Sequence, residues 1–452
     1  MKKTEIIDKI KAAEITKVKF AVADIDGILR GKYIHKDKFL SAIENGMGFC
    51  DVIFGWDCND KCFENSEITG WHTGYPDAKA IIDMDTFREI PWENGTPFFL
   101  GDFSADKKYA NSTCSRSLLK KIAAESESLG FKPIFAQEFE WFNFLGSPNE
   151  IYASGFQDLK PITPGMFGYS ILRTSLNQPY FNDLFELLQK FDIPLEGMHT
   201  ETGPGVIEAT VIFDDILKAA DKALLFKTAV KEIAYRHNFV ATFMAKWNEK
   251  LPGCGGHIHQ SLWDMSKKKN LFFDAQKETR LSQTMEQYIA GQLKCLPEIL
   301  PMFAPNPNSY KRLCGGDWAP STLTWGIDNR TTAIRAIPGG NKSTRIELRV
   351  PGSDTNAYLA LAASLAAGLY GIKNKLRLDV APTTGNGYTN ETNGILPVSL
   401  EAATEKMANS EIANKLFGEA FVKYFTLTRE WECKQIDHND PNWERRRYFE
   451  II

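Results

Sequence analysis

The sequence predicts an α+β fold in two domains, and two observations carry that reading. Strand-like alternation and long helical stripes are mixed irregularly, without the regular strand–helix repeat of a parallel sheet. The strand-like runs are short and broken by Gly, Pro and Asn up to about residue 103, and longer beyond it. At 452 residues the chain exceeds one ordinary domain. Residues 1–103 are therefore read as a small domain and 104–452 as a large one.

Each element follows in order. The opening stretch to Glu14 has charges every few residues, the pattern of an amphipathic helix and not of a signal peptide. Residues 17–24 alternate like a strand and run into the turn-like Ile25-Asp-Gly. Segments 31–34, 80–83 and 97–100 read as further short strands. The polar stretch 102–112 is the expected boundary. Beyond it, Ser115–Leu129 predicts a helix with Leu118, Leu119, Ile122 and Ala123 on one stripe and Gly130 as its stop. Phe213–Arg236 reads as one long helix and Ala357–Tyr370 as a buried one. Runs 132–144, 206–211, 257–262 and 343–350 read as strands, and 382–394 as an exposed loop.

Composition narrows the function. A net charge of −4 leaves no global basic footprint, which argues against a nucleic-acid partner. No run of about 18 apolar residues occurs, so no membrane span is expected. The eight cysteines are scattered without the paired spacing of a zinc knuckle, as expected for reduced thiols in the cytoplasm.

The chemistry concentrates in four strand-like segments. Residues two apart share one face of a strand. Glu138 and Glu140 therefore point the same way, as do His257 and His259, and as do Arg345, Glu347 and Arg349. Any one such row could be the solvated face of an edge strand. Several in one chain are harder to explain so, because like charges on one face repel and call for a cation. Glu201 and Glu208 add two further acids. Carboxylates with an imidazole suit Mg²⁺ or Mn²⁺, which keep coordination places for phosphate oxygens. Arg312, Arg330 and Arg335 add groups that fork onto carboxylates and phosphates, or else form structural ion pairs.

In this order the motifs resemble those of the glutamine synthetase family. They are Glu138-Phe-Glu140, Glu201…Glu208, Gly256-His-Ile-His, Asn308-Ser-Tyr-Lys-Arg, Asn329-Arg…Arg335, Arg345-Ile-Glu-Leu-Arg and Asn356-Ala-Tyr-Leu-Ala. The resemblance implies that residues 1–103 form a β-grasp domain and that the catalytic domain is a curved antiparallel sheet with helices. It implies one metal on Glu140, Glu201 and Glu208 and another on Glu138, His257 and Glu347, with two or three ions per site. ATP would face Phe213, His259, Ser261, Arg335 and Arg345. L-Glutamate would lie on Gly253, Arg312 and Arg349, and Arg330 would face the transferring phosphoryl group. The family builds its sites between subunits, commonly in a dodecamer of two hexameric rings. A neighbour then supplies an aspartate, for which Asp57 is the candidate and Asp60 the rival.

The chain departs from that pattern at one telling place. Ammonia-using members carry a glutamate six residues after the glutamate-binding arginine. Here the sixth residue after Arg312 is Trp318, with Asp317 beside it. An indole removes a charge and offers an apolar face to an organic amine. Pro252-Gly253 and Val206-Ile207 also replace more polar residues, and the family's regulatory tyrosine motif is not evident near residue 373. These changes resemble the branches that join glutamate to polyamines, methylamine or anilines. The expected reaction is ATP-dependent ligation of the glutamate γ-carboxylate to an amine, or to ammonia if Trp318 is only a packed core residue; a catalytically inactive structural relative is the remaining alternative, and such a protein should have lost metal ligands that this sequence keeps.

Overall fold

A computed structural model describes residues 1–64, 66–104, 113–314 and 318–452. Among them, the small domain is one mixed sheet of six strands. These are β1 (Lys17–Ala23), β2 (Leu29–His35), β3 (Met47–Cys50), β4 (Asp77–Ile82), β5 (Arg88–Ile90) and β6 (Thr96–Phe103). The order is β2-β1-β6-β4-β3, with β5 also on β6; β1 and β6 run parallel and the other pairs antiparallel. Helices Lys3–Ala12 and Lys36–Asn45 place Ile6, Ile10, Phe39 and Ala42 in the same core as Val18, Phe20 and Phe99 of the sheet. The opening charge pattern thus is the polar face of a helix held by two isoleucines.

Among the same residues, the large domain is built on nine strands: β7 (Lys132–Leu145), β8 (Leu195–Thr200), β9 (Val206–Val211), β10 (Asp214–Asp215), β11 (Phe239–Thr242), β12 (Ile258–Trp263), β13 (Trp325–Ile327), β14 (Ile334–Ile337) and β15 (Arg345–Leu348). They form a curled sheet in the order β13-β14-β15-β12-β7-β9-β8, with β10 and β11 also on β7. The fourteen-residue β7 is the spine. Its apolar face buries Phe139 and Trp141 against Phe226 of helix Ile216–Arg236, with ring centroids 5.4 and 5.6 Å apart. Burying aromatic area of this size stabilises by roughly 2–3 kcal/mol per ring. The opposite face of β7 is then left for Glu138 and Glu140.

The expected strands overlap observed ones with ends that differ by up to three residues, as 80–83 against Asp77–Ile82 and 97–100 against Thr96–Phe103, and two other elements differ. The long helix starts at Ile216, because 214–215 pair with β7 and leave Phe213 outside, exposed. The 382–394 segment is not wholly exposed: Asn329 donates to the carbonyls of Thr383 and Gly385, and Gly387 is buried. The expected boundary stretch lies largely outside the described residues. β6 ends at Phe103, and helix Ser115–Ser128 lies beyond that stretch.

The chain's last helices return to the small domain. Arg447 donates to Glu432 at 2.6 Å and to Asp57 at 2.8 Å, and Arg429 pairs with Asp26. All of these groups are buried. Arg447→Met would leave Glu432 and Asp57 as buried anions without their cation, a loss of about 3–5 kcal/mol. Urea denaturation checks it, and a loss below about 1 kcal/mol would contradict the role given to this network.

Candidate active site

Strand register assembles the site. Across β12, β15 and β14, His259, Glu347 and Arg335 stand opposite one another. Across β7, β9 and β8, Glu140, Glu208 and His199 do the same. These are two rows of polar side chains on the curled sheet, and Glu138 stands between them.

In the first row Glu138 accepts from His257 Nδ1 at 2.6 Å and His259 Nε2 at 3.2 Å. Glu347 accepts from Arg335 at 2.9 Å and from Arg349, and lies 3.5 Å from His257. Burial alone would raise the Glu138 carboxyl, but its two imidazole partners hold it well below the usual carboxylate range. Burial likewise opposes the Glu347 charge, and the Arg349 guanidinium keeps it lowered. Arg345 donates to His259 Nδ1 at 3.2 Å, which leaves Nε2 as the nitrogen facing Glu138.

In the second row His199 lies 3.2 Å from Glu208 and 3.7 Å from Glu201. Burial, together with the neighbouring acids, pushes Glu140 and Glu208 each up to about 7. Glu140 also accepts the Gly255 amide at 2.7 Å. A side chain at Gly255 would meet His257 at 2.6 Å, so the glycine is a steric requirement. Asn143, buried in β7, bonds Gly205 and so holds the turn that follows Glu201.

Among the described residues, two groups of donor atoms, each within 4.8 Å of one another, could hold a cation: Glu138, His259 and Glu347, and His199, Glu201 and Glu208. Carboxylate oxygen with imidazole nitrogen suits Mg²⁺ or Mn²⁺. The grouping differs from expectation by one residue in each set. His259 stands beside Glu138 and Glu347 where His257 was expected, although His257 remains in contact with both. His199 stands with Glu201 and Glu208, while Glu140 is directed to Gly255. His199 escaped notice because the acid row was read from Glu201 onward; the same period-two logic, carried back two residues, finds it.

The expected substrate residues are placed as follows. Glu140, Glu201, Gly253, His257, Arg312 and Trp318 line one pocket beside the acid rows. A Cβ on Gly253 would lie 2.4 Å from the Ala245 carbonyl. Arg312 is buried and donates to the Val350 carbonyl at 2.8 Å. Trp318 is exposed at φ +63°, and Asp317 lies outside the described residues. Ser261 is engaged by Trp263 and Ile134, and Arg335 also holds Asp328. Arg330 is exposed, its charge acting on the Tyr169 phenol. Tyr169, which the sequence reading missed, lies against His199 with ring centroids 4.2 Å apart and φ +56°.

Asp57 faces into its own chain. It was expected to reach a neighbouring subunit, but it is buried and engaged by Arg447 and by Trp431 Nε1 at 3.0 Å. Burial opposes its charge, yet Arg447 holds its carboxyl below the usual range. Asp60, three residues on, is exposed and pairs with Arg30 at 2.7 Å.

The raised carboxyls predict a pH dependence. Acids titrating near 7 in the folded metal-free chain cost stability as pH rises from about 4.5 towards 7, because folding then buries charge. A bound cation needs the ionised form. Mn²⁺ affinity is therefore expected to weaken as pH falls below about 7, with proton release on binding. Calorimetry at pH 6 and 8 in two buffers of different ionisation enthalpy checks this; no proton release at pH 6 would contradict it.

A curled sheet with paired acid–imidazole clusters and several arginines carries the kinds of group that metal-assisted phosphoryl transfer uses. Comparison with known proteins makes the class specific. Residues 112–448 match the family described as glutamine synthetase, catalytic domain. Type-1 glutamine synthetase 2 of Dictyostelium discoideum is 50% identical over 99% of this chain and 86% of its own length. A glutamate–isopropylamine ligase of Pseudomonas is 36% identical over 99% and 98%. Among solved structures, a GmaS/ADP complex is 25% identical with a TM-score of 0.82, covering 97% of this chain and 98% of that one. The chain belongs to the glutamine synthetase family, whose members are ligases that use ATP and divalent metals. No helix among the described residues is long and apolar enough to cross a membrane.

Proposed function

We propose that the chain joins the γ-carboxylate of L-glutamate to an organic amine. The observation that carries the reading is Trp318 on the wall of the pocket that also holds Glu140, Glu201, Gly253 and Arg312. An indole there, with Tyr169 over the second acid row, gives apolar faces to an alkyl or aryl group and π-faces to its ammonium. The amine-ligase relative at 36% identity supports the same reading.

The proposed chemistry uses the residues as placed. Divalent ions, held by Glu138, His257 or His259 with Glu347 and by Glu140, His199, Glu201 and Glu208, would supply charge compensation for the phosphoryl oxygens of ATP. Arg312 and Arg349 orient glutamate, and Arg349 Nε, buried with no partner among the described residues, keeps a donor for an incoming acceptor. Arg330, Arg335 and Arg345 face the nucleotide, with Phe213 and Ser261. The γ-carboxylate attacks the γ-phosphorus, giving γ-glutamyl phosphate and ADP. A neutral amine then displaces phosphate, and its surplus proton passes to a base. Asp60 is the exposed carboxylate that a neighbouring subunit's site would need for that step.

A second reading, an ordinary glutamine synthetase using ammonia, is favoured by the 50% identical relative of that name. Phosphate release with glutamate, ATP and Mg²⁺, compared across ammonia, methylamine, isopropylamine, putrescine and aniline, separates the two. An organic amine with the highest kcat/KM supports the proposal, and ammonia in that place supports the second reading.

A further inference from the structure

Between the small domain and the catalytic domain lies a cavity of about 670 Å³ that the ligation chemistry leaves unused. Helix Ile216–Arg236 forms one wall, and the β1–β2 turn, Trp92 and residues 450–452 form the others. Lys227 and Lys231, one helical turn apart, both line it. Lys227 is 7% exposed, and its ammonium has one acceptor among the described residues, the Thr355 carbonyl at 3.4 Å. Lys231 donates to the main-chain oxygen of Ile452 at 2.5 Å.

Of the acids that share the cavity, Asp26 is held by Arg429, Glu93 by Lys19 and Tyr33, and Glu232 by the Trp92 indole, while the exposed Glu450 acts on Lys231 and the nearby Asp354 and Asp24 act on Lys227 without a hydrogen bond to its ammonium. A buried ammonium with a single long hydrogen bond is costly, and a second ammonium within a helical turn adds repulsion. Burial accordingly brings Lys227 down to about 8, and burial with the Lys227 charge pushes Lys231 well down. The remaining walls include Ile28, Leu29, Trp92 and Val240, so the cavity joins a cationic spot to an apolar surface.

We propose that this cavity binds an organic carboxylate with an apolar body, its oxygens between Lys227 and Lys231 and its body against Leu29, Trp92 and Val240. The occupant would clamp the domains together. Thr355, the acceptor for Lys227, is followed by Asn356, whose amide holds the β1–β2 turn through the carbonyls of Asp24 and Ile25 at 3.2 and 3.1 Å.

The test is calorimetric titration of the full chain with octanoate and benzoate, alongside 1-octanol, benzyl alcohol and inorganic phosphate, with thermal melts of the same mixtures. The expected result is saturable binding of a carboxylate and a raised Tm, with at least tenfold weaker binding of the alcohols and of phosphate. Lys227→Met and Lys231→Met, which replace a charge on the cavity wall by an apolar chain of similar length, should fold and lose that binding at least tenfold. No saturable binding by the wild type, binding undiminished in both variants, or phosphate bound as tightly as the carboxylates would overturn the proposal. Failure here leaves the ligase reading intact, since neither lysine is placed in that machinery.

Discussion

Glu347→Ala is expected to abolish ADP formation with glutamate and every amine, a loss of at least ~10³-fold in kcat. Glu347 is 1% exposed and is met by Arg335, Arg349, His257 and the His259 row. Removing it takes away a cation ligand, leaves the buried Arg349 guanidinium without its anion and leaves Arg335 with Asp328 alone. The charges set to offset the phosphoryl oxygens then oppose one another. Folding could suffer too, so circular dichroism and a Mn²⁺ titration belong beside the turnover assay. A folded variant that retained turnover would show that this row does not serve phosphoryl transfer.

Trp318→Ala is expected to lower kcat/KM for the preferred organic amine by roughly 10–100-fold, the worth of losing an aromatic wall in a pocket. Turnover with ammonia should change little, because ammonia has no body to pack. Trp318→Glu restores the residue that ammonia-using members carry there, and should shift preference towards ammonia. Steady-state kinetics with both nucleophiles reads the split. Equal losses for amine and ammonia would mean that Trp318 supports the fold and does not select the attacking group.

The sequence made the acid and arginine rows legible because a strand repeats every two residues, so spacing alone says which side chains share a face. Glu138 with Glu140, and Arg345 with Glu347 and Arg349, fall together for that reason. Spacing is silent on which nitrogen meets which acid, and His257 and His259 therefore divide their roles in a way that only register reveals. Tyr169 lies in a loop at positive φ, a conformation with no signature in a tyrosine. Asp57 shows the sharper limit. Its inward turn depends on Arg447, 390 residues away, and a local reading of the Gly55-Trp-Asp turn has no access to that partner. The start of the long helix slipped for a similar reason, since the pairing of 214–215 with β7 competes with local helix preference.

The most direct measurement of the central claim is a competition in one vessel. The chain is given glutamate, ATP and Mg²⁺ with equal concentrations of ammonia and a panel of organic amines at a pH where all are partly neutral, and products are counted by mass spectrometry. The account predicts a γ-glutamyl amide of an organic amine as the main product, with stoichiometric ADP and phosphate. Glutamine as the main product would contradict it.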